Sequence, residues 1–142
     1  MDKMGKGSER KETTISVTKR INDFLNRREP DYISALLLAD LHANIRLRTL
    51  LNDWISPTDC RNWEKISAQV IDYIPFPALL RLCKDNNLLK SEKDVEQLRK
   101  LRKRREEIAH QPRLWRGVTD ATEQKDFRDF CMFTIDFLER TN

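Results

Sequence analysis

The sequence predicts an all-α protein, arranged as an up-and-down bundle of about five to six helices. Only three glycines occur in 142 residues, and two of them lie within the first seven. The chain therefore lacks the residue that hairpins and phosphate-binding loops use most. Apolar residues recur at helical spacing through most of the remainder, and prolines or capping residues separate the periodic segments. We expect a flexible polar tail over residues 1–12 and a single helical domain over residues 13–142.

The first half of the chain predicts three helices. The first runs from about Thr14 to Arg28, and the second, longer helix runs from about Asp31 to Ile55 after Pro30. Pro57 interrupts the pattern, and either Thr58 or Asp59 can cap a third helix. The apolar residues of that third helix are Trp63, Ile66, Val70 and Ile71.

Three further helices follow in the second half. A short one spans Phe76 to Cys83. The next begins at Ser91, which has an acidic residue three positions later, and it continues to about His110, where Pro112 stops it. The last helix, about Thr122 to Arg140, is apolar on nearly all sides. It either lies at the centre of the core or presents one face to a second subunit.

Composition limits the classes of function. Lys and Arg exceed Asp and Glu by 27 to 23, a net charge of +4, which indicates an anionic partner only if the charge is clustered. Cys60, Cys83 and Cys131 are too far apart for a CxxC metal site and odd in number, so we expect buried thiols. No apolar stretch approaches membrane-spanning length. We therefore expect a cytoplasmic protein without membrane association, metal or cofactor.

The predicted helix that ends at His110 carries an arginine at an unexpected position. Its apolar stripe consists of Val95, Leu98, Leu101 and Ile108, and Arg105 occupies the missing place in that row. A guanidinium in an apolar row requires a partner, a ligand or a subunit interface, unless its long stem carries it past the core to solvent. Both interpretations stay open at this stage.

The same helix is rich in cations. Six of the seven residues 99–105 are basic, and such a run is typical either of a phosphate-binding surface or of an ordinary solvated helix end. Glu106 and Glu107 can pair with basic residues four positions earlier, which leaves fewer charges free for a ligand. The candidate RNA-binding residues are Arg102, Lys103, Arg104, Arg113 and Arg116.

The chain contains two histidines, His42 and His110. His42 is most simply a residue at the rim of the core. On a regular helix, His110 would lie about 140° around the axis from Arg105. The two side chains can converge only if the helix frays near Gln111, or if the partner group comes from a second chain. A histidine at a helix end is otherwise a cap or a surface residue.

The string from Arg105 to His110, Arg-Glu-Glu-Ile-Ala-His, resembles the R-x4-H signature of HEPN domains, whose motif commonly reads Arg-Asn-x-Ile-Ala-His. The segment Phe76-Pro-Ala-Leu-Leu-Arg-Leu with Leu88-Leu89, and the segment from Ala43 to Leu51, are also similar to this family. The resemblance covers about residues 31–140. It implies an all-helical, metal-independent endoribonuclease, often a toxin or phage-defence effector, that works as a homodimer on RNA.

The resemblance also implies roles for individual residues. His110 would be the general acid or base for attack by a ribose 2′-hydroxyl, since the ordinary pKa of histidine, about 6.5, suits proton transfer at neutral pH. Arg105 would stabilise the charge that develops on the phosphate. Both would belong to a composite site at a dimer axis. A nucleotidyltransferase-type antitoxin is a candidate partner.

Two positions depart from the family pattern. Glu106 replaces the usual Asn at a candidate catalytic position, and its charge would repel a phosphate unless a cation neutralises it. Asn44 occurs where the second helix of the family often has Glu. We expect Glu106 and Asn44 to form a hydrogen-bonded pair in which the acid and the amide have exchanged helices. The alternatives to a ribonuclease are a catalytically inactive RNA- or protein-binding accessory module, and a plain helical interaction domain.

Overall fold

The computed structural model describes the backbone of residues 2–55 and 69–142, and the side chains of residues 12–55 and 69–142. All regular structure in these ranges is helical, which confirms the predicted all-α class. None of the described helices is long and apolar enough to cross a bilayer. In chain order, the elements are α1 (Asp2–Leu25), α2 (Tyr32–Ile55), α3 (Phe76–Asp85), α4 (Glu92–His110), a 3-10 helix (Pro112–Arg116) and α5 (Ala121–Arg140).

Most predicted helix boundaries agree with the structure to within a few residues, and α1 is the exception. It begins at Asp2, twelve residues before the predicted start, because its polar first half gives no apolar periodicity from which to infer a helix. At α2, Asp31 acts as the N-cap, since its carboxylate accepts bonds from the Ser34 amide at 3.0 Å and the Ser34 hydroxyl at 2.7 Å. Flexibility of residues 1–12 stays a prediction.

The third predicted helix lies mostly outside the described residues, and so do its proposed caps Thr58 and Asp59. Residues 69–71 are helical, with Val70 exposed and Ile71 buried.

The chain divides into two compact units, residues 1–43 with 97–142, and residues 44–96. In the first unit, α1 and α5 run antiparallel. The Thr14 hydroxyl donates to the Asn142 side chain at 3.3 Å, and Arg128 donates to the Leu25 carbonyl at 3.2 Å. The apolar residues that fill this core are Val17, Ile21, Leu25, Leu36, Leu98, Leu101, Leu114, Phe127 and Phe137.

The last helix, α5, belongs to the core of this first unit. Six of its residues are buried, among them Phe127, Cys131 and Phe137. Lys125 and Arg140 form ion pairs with Asp129 and Asp136 on its exposed side. The predicted place of this helix in the core is therefore confirmed, and a face towards a second subunit stays a prediction. Burial raises the pKa of the Cys131 thiol to about 12, as expected for an inert core cysteine.

The second unit contains the end of α2, helix α3 and the start of α4. Arg48 links α2 to the segment before α3 in this unit, because its guanidinium donates to the carbonyl of Ile71 and, at 2.9 Å, to that of Ile74. These bonds satisfy carbonyl groups at the end of a helical segment. Cys83 is buried here, and its pKa is raised by burial to about 11. The predicted buried thiols are thus confirmed for Cys83 and Cys131, whereas Cys60 lies outside the described residues.

Candidate functional site

Helix α4 provides the scaffold for the candidate site. The Ser91 hydroxyl accepts a bond from the Asp94 amide at 3.2 Å, which confirms the predicted N-cap. The stripe of Val95, Leu98, Leu101 and Ile108 is buried in full. Burial of side chains of this size stabilises a fold by about 1.5–3 kcal/mol each, so this stripe fixes which face of α4 points outward.

Arg105 lies in the same row as these residues but is exposed. It makes no hydrogen bond or ion pair with any residue that the structure describes. Its long aliphatic stem allows the guanidinium to leave the core between the buried Leu101 and Ile108. The guanidinium of Arg105 is therefore available to a ligand or to a second chain.

Arg102 is held by a buried acid. Its Nε lies 3.2 Å from an Oδ1 oxygen of Asp40 on α2, and Asp40 is only 5% exposed. Desolvation raises the pKa of Asp40, while the charges of Arg102 and Arg105 lower it and that of Glu106 raises it further. The Asp40 carboxyl therefore interacts electrostatically with Arg102, Arg105 and Glu106.

Sequence reasoning missed Asp40, although a signal was present. The buried stripe of α2 includes Leu36, Ala43 and Leu47, and Asp40 lies four residues after the first and three before the second. Arg105 was noticed because a charged residue within an apolar row requires a partner or a function. The same criterion applies to Asp40.

Arg104 lies at the centre of an ion-pair network between α4 and α5. Its guanidinium is 2.7 Å from both Glu107 and Asp126 and 3.6 Å from Glu123, and it lies over the ring of Phe127. Burial lowers the pKa of Arg104, but the hydrogen bonds that Arg104 donates to Asp126 and Glu107, together with the charges of these acids, outweigh burial and raise the pKa. Glu107 thus pairs with Arg104 three residues earlier, instead of with Lys103.

Arg113 is also paired. It makes two parallel hydrogen bonds to the carboxylate of Glu123, at 2.7 and 3.0 Å. This bond is the largest cause of the lowered pKa of Glu123. A two-pronged arginine–carboxylate pair has well-defined geometry even at a surface.

The structure thus divides the lysine and arginine residues between positions 102 and 116 into two groups. We call Arg102, Arg104 and Arg113 the held arginines, since each has an acidic partner within its own unit. The free cations are Lys103, Arg105 and Arg116, which are exposed and make no ion pair with a described residue.

Glu106 and His110 are exposed, and neither forms a hydrogen bond or ion pair with a described residue of its own unit. Helix α4 stays regular to its end, because the Gln111 amide still donates to the Glu107 carbonyl at 2.8 Å. Fraying therefore does not bring His110 round to Arg105. The separation of about 140° that regular geometry gives applies in this structure.

The other predicted positions lie on α2. The side-chain oxygen of Asn44 accepts a bond from Arg48 at 3.1 Å. The pair between Asn44 and Glu106 would join the two units and stays a prediction. His42 is half-buried, in keeping with a residue at the rim of the core. Within residues 12–55 and 69–142, no group of three or more His, Cys, Asp or Glu side chains could hold a metal ion.

Trp115, in the 3-10 helix after α4, was also missed by sequence reasoning. Its indole N–H donates to the Ile108 carbonyl at 2.8 Å, while 66% of the residue stays exposed. The sequence signal was an aromatic residue between Arg113 and Arg116.

Comparison with known proteins identifies no relative. No family model matches the chain, and neither a curated protein nor a solved structure matches it.

Proposed function

We propose that this chain is a metal-independent endoribonuclease of the HEPN type that acts as a homodimer in the cytoplasm. The observation that carries the proposal is the state of Arg105. It is exposed and unpaired among the described residues, on a helix where the arginines at 102 and 104 are both held by acids. An exposed, uncommitted guanidinium within the R-x4-H string is suited to bind a phosphate from outside the chain.

The reaction would be an internal transesterification of RNA. The ribose 2′-oxygen forms a bond to the adjacent phosphorus, and the bond from phosphorus to the 5′-oxygen breaks. His110 accepts the 2′-hydroxyl proton or supplies a proton to the leaving 5′-oxygen. Arg105 stabilises the extra negative charge on the phosphate oxygens in the transition state. The products are a 2′,3′-cyclic phosphate and a 5′-hydroxyl.

Helix geometry favours a site assembled from two chains. Within one α4, Arg105 and His110 point about 140° apart and are separated by about 7.5 Å along the axis. Two copies related by a two-fold axis can bring Arg105 of one chain to His110 of the other, which gives two equivalent sites per dimer. Leu37 and Leu41, one turn apart on α2, are 41% and 52% exposed, which provides apolar surface for such an interface.

The two groups of cations suggest a division of work in RNA binding. We propose that the free cations Lys103 and Arg116 contact the RNA backbone directly. The held arginines Arg102, Arg104 and Arg113 contribute less to RNA binding, since part of their charge is compensated by acids of the same chain. Their ion pairs chiefly hold in place the helix and the turn that carry the free cations.

One observation favours the accessory module as a second candidate. Glu106 forms no ion pair with a described residue, so its charge is not cancelled next to the place where a phosphate would bind. Glu106→Gln separates the two candidates. If the acid takes part in proton transfer, cleavage falls; if it only repels substrate, cleavage rises and RNA binds more tightly. A chain that binds RNA but cleaves it in neither form is an accessory module.

The main test measures cleavage of a single-stranded RNA in the presence of EDTA, with detection of the cyclic phosphate end. We expect cleavage by the wild type, and losses of at least about a hundredfold in Arg105→Ala and in His110→Ala. Arg20→Ala is the matched control, because Arg20 is an exposed arginine of the same unit, on α1. RNA with 2′-O-methyl groups should resist cleavage. Equal activity of all variants would contradict the proposal.

A mixing experiment tests the composite site. If Arg105 and His110 act across the dimer, each Arg105→Ala/His110→Ala heterodimer contains one intact site. Random mixing would then restore about a quarter of wild-type activity from two inactive proteins. No recovery from a mixture that light scattering shows to exchange subunits would contradict a shared site.

A growth assay tests the proposed role as a toxin or phage-defence effector. Expression of the wild type should inhibit growth, and both alanine substitutions should abolish the inhibition. A nucleotidyltransferase-type antitoxin is the proposed partner, and its co-expression should restore growth.

A further inference from the structure

Trp115 combines wide exposure with a fixed position. Two-thirds of the residue is open to solvent, yet its indole N–H donates to the main chain of Ile108 at 2.8 Å. An exposed aromatic ring normally keeps its rotational freedom, and losing that freedom weakens any later binding. Here the hydrogen bond fixes one edge of the ring in advance and leaves its other surfaces accessible.

The backbone around Trp115 is also defined. Pro112 begins the 3-10 helix, and Gly117 ends it with a φ of 112°, a conformation that favours glycine. The Gly117 amide donates to the Leu114 carbonyl at 3.0 Å, and Leu114 is fully buried. The turn that presents the indole is therefore anchored by a buried side chain and by main-chain bonds.

The indole is hydrogen-bonded to the last turn of α4, the turn that also contains His110. Its acceptor, the Ile108 carbonyl, belongs to the last turn of α4, two residues before His110. The next residue after Trp115 is Arg116, one of the free cations. A fixed aromatic surface beside an unpaired cation is the arrangement with which proteins bind single-stranded nucleic acid, the ring stacking on a base and the cation contacting the backbone.

The surroundings favour RNA over a second protein as the occupant. Residues 108–119 contain two arginines and no acidic residue. Arg116, which follows Trp115 directly, and Arg113, which is paired with Glu123, are both exposed, so the indole is not part of a continuous apolar surface. The centre of a protein interface is typically depleted in charge. The exposed apolar residues Leu37 and Leu41 lie on another helix, α2.

We propose that Trp115 is a base-stacking residue that holds one unpaired nucleotide of RNA beside Arg105 and His110. This inference rests on the proposed function and adds to it the substrate class: unpaired RNA, bound with little sequence preference. Stacking uses the face of the ring, which all four bases share. A base paired in a duplex has no free face, so duplex RNA is a poorer ligand.

The test measures binding of a fluorescein-labelled oligoadenylate with 2′-O-methyl groups, which allows binding but not cleavage. Trp115→Phe and Trp115→Leu both remove the indole N–H, but only Phe keeps an aromatic face. We expect Trp115→Leu to weaken binding about tenfold, and Trp115→Phe, which keeps an aromatic face but loses the hydrogen bond that fixes it, to weaken binding clearly less. Trp54→Leu is the matched control, because Trp54 is 54% exposed on α2. Its binding should be unchanged.

An oligonucleotide with one abasic position supplies the second readout. If the base stacks on Trp115, the abasic oligonucleotide binds wild type more weakly, and the difference disappears in Trp115→Leu. Equal losses in Phe and Leu variants would indicate that the ring serves only as an anchor for α4, which overturns the inference. A change of oligomeric state in Trp115→Leu would assign the ring to a subunit interface and also overturns it.

The outcomes separate this inference from the proposed function. Stacking behaviour without any cleavage would refute the ribonuclease and leave Trp115 as an RNA-binding residue. Cleavage that depends on Arg105 and His110, with wild-type binding by Trp115→Leu, would refute only the stacking. A wild-type chain that binds no RNA would overturn both.

Discussion

Within fifteen residues of sequence, 102–116, the chain contains two kinds of basic residue that differ in what surrounds them. The held arginines have carboxylates at 2.7 to 3.2 Å, supplied by Asp40, Asp126 and Glu123. The free cations Lys103, Arg105 and Arg116 form no ion pair with a described acid, although the charge of Arg105 still lowers the pKa of Asp40. The difference is not in residue type, since arginine occurs in both groups. The two groups differ in position: the held arginines lie on the side of α4, or of the turn after it, that faces acidic residues of other helices, and the free cations do not.

This division gives a physical criterion for a binding surface. An arginine that already has a carboxylate partner must give up that interaction, or share it, before it can bind a phosphate. An unpaired arginine loses only bound water when it binds a phosphate. We therefore expect substitutions in the free cations to change activity and those in the held arginines to change stability.

Arg105→Ala is the strongest test of this division. We expect RNA cleavage to fall by about 10²-fold or more, equivalent to about 2.7 kcal/mol. The free energy of unfolding should stay within about 0.5 kcal/mol of wild type, because the side chain is exposed and unpaired. Cleavage assays and urea denaturation measure the two quantities. A large loss of stability would place Arg105 with the held arginines.

Arg104→Ala should show the opposite behaviour. The side chain is 21% exposed, and its guanidinium donates hydrogen bonds to Glu107 and Asp126 and lies over Phe127. Allowing for screening by solvent, we expect a loss of about 1–2 kcal/mol in the free energy of unfolding. Cleavage per folded molecule should be nearly unchanged. A loss of cleavage as large as that of Arg105→Ala would remove the distinction between the two groups.

Asp40→Asn tests the buried acid through the pH dependence of stability. Because the pKa of Asp40 is raised in the folded state, mainly by desolvation, the native chain retains this proton more strongly than the unfolded chain does. Its contribution to stability is therefore present at low pH and is lost as pH rises above the ordinary value of 3.8 through the raised pKa.

The measurement is urea denaturation of wild type and Asp40→Asn between pH 3.5 and pH 8, with those limits set to bracket roughly the titration range of carboxylates. The difference in unfolding free energy between the two should shift in favour of Asn as pH rises, by at most about 1.4 kcal/mol per pH unit. A shift in the opposite direction would mean that Arg102 and Arg105 outweigh desolvation.

The smallest expected effect concerns the salt dependence of RNA binding. Lys103→Ala and Arg116→Ala should each reduce the slope of log affinity against log salt by up to about 0.7, the value for one phosphate contact on a single strand. Arg113→Ala, which removes a cation already paired with Glu123, should change the slope less. Equal changes in the salt slope for all three variants would show that an arginine paired with a carboxylate contributes as much to RNA binding as an unpaired cation.

The fold was largely predictable from sequence, because apolar spacing and proline or cap signals are local. The Ser91 cap and the buried stripe of α4 are such cases. The start of α1 at Asp2 was not predictable, since its first residues offer no apolar pattern. The sequence also placed Arg105 and His110 on one helix. It could not show which arginines are held, because the acids that hold them lie on α2 and α5, far away in sequence.

The buried position of Asp40 also has a consequence for how this sequence can vary in evolution. The ion pair between Asp40 and Arg102 makes the two residues interdependent, because loss of either charge alone removes a close compensating charge from the other. In related chains we expect positions 40 and 102 to change together, either both charged or both neutral. Position 105 should vary independently of them if it serves a ligand. Covariation of 105 with 40 would instead indicate a shared structural role, and an alignment of homologues would reveal it without any biochemical assay.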